Sequence, residues 1–118
     1  MCANVNITKG YNYPDVNTLK GTSLMNLKHE LIEEIKTLAE VNGITKVILF
    51  GSRARGDNHR TSDIDLAVTG RNYSGFSIDV EEETNTLLRF DCVNLDSAVN
   101  EDLMESIKRE GVTIYEKS

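Results

Sequence analysis

Two aspartates separated by a single residue are the part of the sequence with the most specific chemical potential. Asp63 and Asp65 flank Ile64 in a stretch that alternates polar and apolar residues, which predicts a β-strand. Both carboxylates then lie on one side of the strand, roughly 6 to 7 Å apart. Because such charges repel each other, the pair indicates a divalent cation with oxygen ligands, and Mg²⁺ is the natural choice. For this pair alone, a solvent-exposed strand end is the alternative interpretation.

The segment before these aspartates contains groups suited to binding phosphate. A continuous apolar run ends at Gly51, where the missing side chain permits a tight turn and close approach of an anion to the backbone. Ser52 offers a hydroxyl and an amide N–H, and Arg53 and Arg55 add positive charge. Each of these residues alone is ordinary in a surface loop. Together with the paired acids, they predict a site for a nucleoside triphosphate whose phosphates are bridged to the metal.

Short apolar runs separated by polar loops predict the strands that must carry these residues. Residues 51–62 are expected to form a loop with at most one helical turn, because they contain no core-forming residue larger than Ala54. A second loop is expected from Gly70 to Gly75. The four predicted strands are residues 47–50, 63–68, 90–95 and 112–115.

Helices are predicted before and between these strands. The first carries leucines at helical spacing, begins after the acceptable N-caps Thr22 and Ser23, and ends at Gly43. Residues 76–84 fit a helix or a strand nearly equally, and their place between strands favours a short helix. Asn100 is the predicted N-cap of a last helix. The class is therefore α/β or α+β, with a small mixed sheet and helices packed mainly on one face.

The order of these motifs resembles the signature of the polymerase β nucleotidyltransferase superfamily, and it is most similar to that of the minimal nucleotidyltransferases. The matching residues are Gly51-Ser52-Arg53-Ala54-Arg55-Gly56, followed by Ser62-Asp63-Ile64-Asp65-Leu66. The resemblance implies that Gly51 and Ser52 hold the triphosphate and that Asp63 and Asp65 bind metal. Further nucleotide contacts that it implies are Arg53, Arg55 and Ser62.

The resemblance also implies a third acid on a later strand, which completes the catalytic and metal-binding set. Asp91 fits this place in the third predicted strand. It would share its strand face with Val93 and Leu95, which a helix must cover beyond the open site. Asp96 is the fallback for the third acid, and Asp79 is a weaker one.

The length and composition are those of one ordinary domain. For 118 residues and 13.2 kDa, we expect an N-terminal arm at residues 1–22 and a nucleotidyltransferase domain at residues 23–118. The net charge of −6 disfavours duplex nucleic acid as a partner, since binding to a phosphate backbone relies on clustered Lys and Arg. Without a long apolar run or a signal-peptide pattern, we expect a cytoplasmic location and no membrane segment. Cys2 and Cys92 are interpreted as free thiols.

The function that the resemblance implies is metal-dependent transfer of a nucleoside monophosphate to a hydroxyl acceptor, with AMP from ATP favoured. It further implies two Mg²⁺ ions, with Mn²⁺ as the alternative, and Asp91 as the acid that helps to deprotonate the acceptor. Minimal nucleotidyltransferases resemble the antitoxin half of a toxin-antitoxin module, so the acceptor is expected on a helical partner of the HEPN or substrate-binding type. Two alternatives remain open. One is a stand-alone enzyme acting on a small hydroxylated molecule such as an aminoglycoside, and the other is a non-catalytic module that binds a nucleotide or a partner.

Overall fold

The computed structural model describes residues 25–117, in which helices and strands alternate. The helices are α1 (His29–Val41), α2 (Ser52–Arg55), α3 (Tyr73–Glu83) and α4 (Glu101–Glu110), and the strands are β1 (Ile44–Phe50), β2 (Ile64–Gly70), β3 (Phe90–Asn94) and β4 (Val112–Glu116). No helix in this part of the chain combines the length and apolar character that crossing a membrane requires. The predicted arm at residues 1–22 and the predictions for Cys2, Thr22 and Ser23 lie outside the described residues.

The strands form one mixed sheet in the order β3-β2-β1-β4. β1 is antiparallel to both β2 and β4, whereas β2 and β3 are parallel. A parallel pair requires a crossover connection, and α3 provides it between β2 and β3. The predicted α/β class with a small mixed sheet is confirmed.

Two apolar clusters hold helices against the two faces of the sheet. α1 and α3 cover one face, where strand residues alternate inward toward the helices. Its fully buried residues include Ile35, Val47, Leu49, Ile64, Leu66, Val68, Phe76 and Val80. The opposite face carries Phe50 and Ala67, which are covered by Ile107 of α4. Helices therefore pack mainly on one face, as predicted, and α4 is the exception.

The first helix begins later than the sequence predicts. α1 starts at His29 and has no side-chain cap. The residues before it are attached to the loop after β1 instead: the N–H of Asn26 donates to the carbonyl oxygen of Arg53 at 2.8 Å, and Leu27 packs against the core. The prediction that this helix includes residues 25–28 is wrong because this tertiary contact outweighs helical propensity, and periodicity alone does not reveal such a contact.

The ambiguous segment after β2 is a helix, α3, as its position favoured. It begins at Tyr73, inside the segment 70–75 that was predicted to be a loop. Asn72 explains this start, because its side-chain oxygen accepts a hydrogen bond from the N–H of Gly75 at 3.1 Å and caps the helix. The predicted N-cap of the last helix, Asn100, is confirmed in the same way.

Candidate active site

Two acids on neighbouring strands form the centre of the candidate site. In the parallel pair of β2 and β3, Asp65 lies directly beside Asp91. Asp65 also lies opposite Phe50, the last residue of β1, in the antiparallel pair. Because neighbouring strands are about 4.8 Å apart, the two acids start from adjacent backbone positions on the same face of the sheet. The fold therefore brings both acids to the end of β1, where the glycine-serine turn begins.

Gly51 turns the chain sharply between β1 and α2, directly beside Asp65. Its φ is 76°, in the left-handed region that side chains disfavour. A Cβ atom at this position would lie 3.1 Å from Cγ of Asp65 and closer still to its Oδ2. The carbonyl oxygen of Gly51 accepts hydrogen bonds from the N–H groups of Ala54 and Arg55, each at 3.1 Å, so that α2 starts at Ser52. Both the backbone angle and the neighbouring acid therefore require glycine here.

The surroundings of Asp65 raise the pKa of its carboxyl group from 3.8 to about 6. Burial is the largest cause, followed by the negative charges of Asp91 and Asp63, while Arg55 acts in the opposite direction. Because the folded chain holds this proton more tightly than the unfolded chain, the group's contribution to stability is lost as the pH rises from 3.8 through about 6. Near neutral pH, the ionised site therefore carries a repulsion that a cation would relieve.

The oxygen ligands of the three aspartates suit a hard divalent cation, although the three side chains are not grouped closely around one point. Asp63 immediately precedes β2 and is exposed. Within residues 25–117, no three His, Cys, Asp or Glu side chains are grouped closely enough to hold a metal ion. Asp63 is nevertheless close enough for its charge to contribute to the raised pKa of Asp65. The donors are all carboxylates that repel one another, which suits Mg²⁺ or Mn²⁺ with water and phosphate as further ligands.

Arg53 is buried, although its place in the motif predicted contact with a nucleotide. Only 5% of the residue is exposed. Its guanidinium donates to the carbonyl oxygens of Ser62 at 3.1 Å, Asn26 at 3.3 Å and Arg60 at 3.0 Å. These bonds join α2 to the end of the loop and to the segment before α1. The structure therefore favours a role in holding the loop over the predicted nucleotide contact, because the guanidinium is turned toward the protein.

The other two predicted nucleotide contacts lie at the two ends of this loop. Ser62 accepts a hydrogen bond from the N–H of His59 at its Oγ, at 2.8 Å, and so stabilises the loop just before β2. Arg55 is exposed, and its guanidinium binds Asp57 through Nε at 3.1 Å and Glu110 through Nη1. Arg55 thus remains at the surface of the site, whereas the Ser62 hydroxyl already has a partner within the loop.

Glu110 is a charged residue at the site that the sequence pattern did not indicate. It is the last residue of α4, and its side chain is only 12% exposed. It reaches the site because β4 starts two residues later, with Val112 paired to Leu49 near the end of β1. Its negative charge contributes to the raised pKa of Asp65. The one signal in the sequence is an acid at the C-terminal end of a helix, where the helix dipole favours bases.

The two fallback acids are engaged away from the acid pair. Asp96 accepts a hydrogen bond from the hydroxyl of Thr69 at 2.6 Å, which lowers the pKa of Asp96. Thr69 lies near the far end of β2, roughly 13 Å of strand away from the acid pair. Asp79 accepts a hydrogen bond from the side chain of Asn42 at 2.9 Å. Of the three candidates, Asp91 is therefore the acid that the fold places beside Asp65.

The rest of β3 is structural. Val93 and Leu95 pack against the cluster that includes Ile107 of α4, so a helix covers this face beyond the open site, as predicted. Cys92 is a free thiol whose pKa is raised to about 12, chiefly by burial. It is partly buried against the cluster on the opposite face, as a small core residue is.

A cavity of about 1020 Å³ lies on the other side of the loop that follows β1. Leu27, Leu31, Leu88 and Arg53 are among its lining residues. None of the three aspartates lines this cavity. The candidate site therefore lies outside this cavity and is defined by the positions of the acids and the glycine turn.

The fold and the site together define a class of protein. A mixed sheet with acids on neighbouring strands and a glycine-serine turn beside them agrees with the site that the sequence motif predicted. The family model described as polymerase beta, nucleotidyltransferase matches residues 33–118. The chain belongs to this family and is a nucleotidyltransferase, which confirms the resemblance seen in the motif. No curated protein sequence gives a significant match.

Solved structures share this fold. A chain from a toxin-antitoxin complex with AMP-PNP is 24% identical, with 74% of each chain covered and a TM-score of 0.60. A chain from a mutant of the toxin-antitoxin pair MntA-HpeT is 22% identical, with 74% of each chain covered and a TM-score of 0.58. A minimal nucleotidyltransferase is 24% identical over 80% of this chain and 95% of its own, with a TM-score of 0.58. At these levels of identity, the TM-scores show that the chains share a common fold.

Proposed function

We propose that this nucleotidyltransferase transfers AMP from ATP to a hydroxyl group of a partner protein, as the antitoxin of a toxin-antitoxin pair. The observation that carries the proposal is the register of Asp65 with Asp91 beside Gly51. This register supports the proposal because it brings two carboxylates to the turn that we propose to bind the triphosphate. Two of the three similar structures described above are from toxin-antitoxin complexes, one of them with AMP-PNP, which supports a nucleotide and a protein partner. The partner that we propose is a helical protein of the HEPN type.

In the proposed reaction, the acceptor oxygen forms a bond to the α-phosphorus of ATP. The bond from that phosphorus to the oxygen bridging the β-phosphate breaks, and pyrophosphate leaves with the electron pair. Asp91, whose side chain is exposed at the start of β3, takes the hydroxyl proton and passes it to water. Gly51 and Ser52 bind the triphosphate through backbone N–H groups and the serine hydroxyl, and so orient it for in-line attack.

The residues that would hold divalent cations are Asp63, Asp65 and Asp91. Mg²⁺ is the ion proposed, and Mn²⁺ has the same ligand preferences. When bound, such cations supply positive charge to the attacking and leaving oxygens. The contribution of the chain is to fix two of the three carboxylates on rigid strands, since Asp65 lies within β2 and Asp91 within β3.

The test is transfer of label from ATP labelled at the α-phosphate. The chain is incubated with this ATP, MgCl₂ and the product of the gene next to its own, for which we expect a helical protein. We expect label on the partner, loss of labelling with EDTA, and a decrease of about a hundredfold or more in the Asp65→Asn variant. Asp96→Asn is the matched control, because its carboxylate is bound to Thr69 away from the acid pair.

Other results of this experiment would replace the proposal. Label on an added aminoglycoside, without label on the partner, would instead support a stand-alone enzyme. Binding of ATP without transfer to either acceptor would support a non-catalytic binding module. Full activity of Asp65→Asn would remove the acid pair from the mechanism.

A further inference from the structure

An acid ends α4 at a position that disfavours negative charge. The C-terminal end of a helix carries partial negative charge, which suits the bases Lys108 and Arg109 in the same turn. Glu110 follows them, and only 12% of its side chain is exposed. A carboxylate that has lost most of its hydration requires a compensating partner. The partner shows what the residue is positioned to do.

The compensating partner is Arg55, which lies on a different element. Oε1 of Glu110 accepts a hydrogen bond from Nη1 of Arg55, and the Nε of Arg55 donates to Asp57 at 3.1 Å. Arg109 is a weaker partner of Glu110, at 3.8 Å and with 64% of its side chain exposed. Two acids thus hold the Arg55 guanidinium through its Nε and its Nη1, and its Nη2 makes no hydrogen bond to any group within residues 25–117.

The fixed guanidinium lies at the turn proposed to bind phosphate. Arg55 ends α2, the helix that starts at Ser52, and its N–H donates to the carbonyl oxygen of Gly51 at 3.1 Å. Glu110 comes to the Arg55 guanidinium from the α4–β4 connection, and β4 pairs with β1 on the side away from β2. The charges of both residues are close enough to act on Asp65. A cationic side chain is thereby held on the helix that follows the glycine turn, within electrostatic reach of Asp65.

We infer that Glu110 is a positioning residue for the nucleotide, which holds the Arg55 guanidinium ready to bind the β- or γ-phosphate of a nucleoside triphosphate. This inference rests on the proposed function and adds a specific residue to it. An arginine that is already held in place loses less conformational entropy when it binds phosphate, so its removal or release weakens binding. The phosphates bound would be those that AMP lacks.

Charge alone and positioning by Glu110 predict opposite changes in triphosphate affinity when Glu110 is neutralised. Glu110→Gln removes a negative charge near an anionic ligand, and this alone would strengthen triphosphate binding. Positioning by Glu110 predicts weaker binding, because the neutral amide releases the guanidinium. The sign of the change therefore separates the two effects.

The experiment measures dissociation constants by calorimetry with α,β-methylene-ATP and MgCl₂. In this analogue carbon replaces the oxygen between the α- and β-phosphorus, so no nucleotide is transferred during the measurement. We expect Glu110→Gln to weaken binding about five- to tenfold, Arg55→Ala to weaken it at least as much, and the double variant to match Arg55→Ala. AMP binding should change by less than about twofold in each variant. Glu105→Gln, which removes an exposed acid from the same helix, is the control and should bind as the wild type does.

The outcomes separate this inference from the proposed function. Unchanged or tighter analogue binding by Glu110→Gln overturns the inference and leaves the proposed function standing, as does an additive effect in the double variant. Equal losses for AMP and for the analogue also overturn it, because they indicate a merely structural role. If Glu110→Gln does not fold, unchanged analogue binding by Arg55→Ala overturns the inference in its place. A wild-type chain that binds no analogue in the presence of MgCl₂ contradicts both the inference and the proposed function.

Discussion

Asp65 occupies the space that a side chain on Gly51 would need. A Cβ atom on Gly51 would lie 3.1 Å from Cγ of Asp65, and the two residues meet where β1 ends and β2 begins. The turn proposed to bind phosphate and an acid proposed to bind metal are therefore built against each other. A change at either residue is expected to disturb the other.

Gly51→Ala should reduce nucleotide transfer by about a hundredfold or more, because the methyl group displaces the Asp65 carboxylate. It should also destabilise the fold by about 1–3 kcal/mol, since alanine at a φ of 76° is strained. Transfer of labelled AMP and urea unfolding measure the two effects separately.

Gly43→Ala is the matched control for strain. Gly43 also has a positive φ, 67°, but it lies between α1 and β1, at the other end of β1. We expect it to lose a similar amount of stability while keeping transfer within about threefold of the wild type. Equal losses of transfer in both variants would show that the Gly51 effect arises from instability alone.

Asp91→Asn and Asp96→Asn should have contrasting effects. Asp91→Asn should lose transfer but keep its stability, because its side chain is exposed at the strand start. Asp96→Asn should keep transfer and lose stability at neutral pH. The hydrogen bond from Thr69 lowers the pKa of Asp96 in the folded chain. The ionised carboxylate therefore stabilises the fold at pH values above its pKa in the unfolded chain, and this stabilisation disappears as the pH falls through its pKa in the folded chain.

Urea unfolding at pH 7 and at pH 3 checks this difference. The difference in free energy of unfolding between the wild type and Asp96→Asn should be smaller at pH 3 than at pH 7. If Asp96→Asn loses as much transfer activity as Asp91→Asn, the assignment of the third acid to Asp91 on β3 is contradicted.

Asp65→Asn should be more stable than the wild type at neutral pH in metal-free buffer. The wild-type carboxyl has a pKa raised to about 6, so its contribution to stability is lost as the pH rises, and the amide has no such dependence. We expect a gain of about 1 kcal/mol, kept small because solvent screens a partly buried group. MgCl₂ should stabilise the wild type more than the variant in the same unfolding experiment. A variant that is less stable than the wild type at pH 7, and whose stability depends on pH as steeply as that of the wild type, would contradict the repulsion.

Arg53→Ala should destabilise the fold by about 2–4 kcal/mol, because three carbonyl oxygens lose their shared donor. Arg53→Lys should recover little of this, since an ammonium group cannot span three acceptors as the planar guanidinium does. Arg60→Ala, at an exposed side chain of the same loop, is the control and should be nearly neutral. Thermal unfolding of the three variants tests the loop-holding role, and a neutral Arg53→Ala would contradict it.

The sequence was informative where local pattern decides structure. The alternation around Asp65 predicted which strand face it occupies, and the position of Asp91 within an apolar run placed it on another strand. These inferences rest on the period of a β-strand, which is local. The predicted family then followed from the order of the motifs, and the match to residues 33–118 confirms it.

The features that the sequence did not reveal depend on contacts between distant segments. Arg53 is buried because Asn26 and Arg60 supply carbonyl oxygens to its guanidinium, so a charged loop residue became part of the interior. Glu110 enters the site only because β4 pairs with β1. Neither contact has a signature in the local pattern, and the late start of α1 at His29 has the same origin.

The central claim is tested most directly by the intact mass of the proposed partner, the product of the gene next to that of this chain, after incubation with this chain, ATP and MgCl₂. The proposed function predicts a gain of one or more AMP units that disappears with Asp65→Asn and with Asp91→Asn and persists with Asp96→Asn. An unchanged partner mass, while the wild-type chain demonstrably binds ATP, would contradict it.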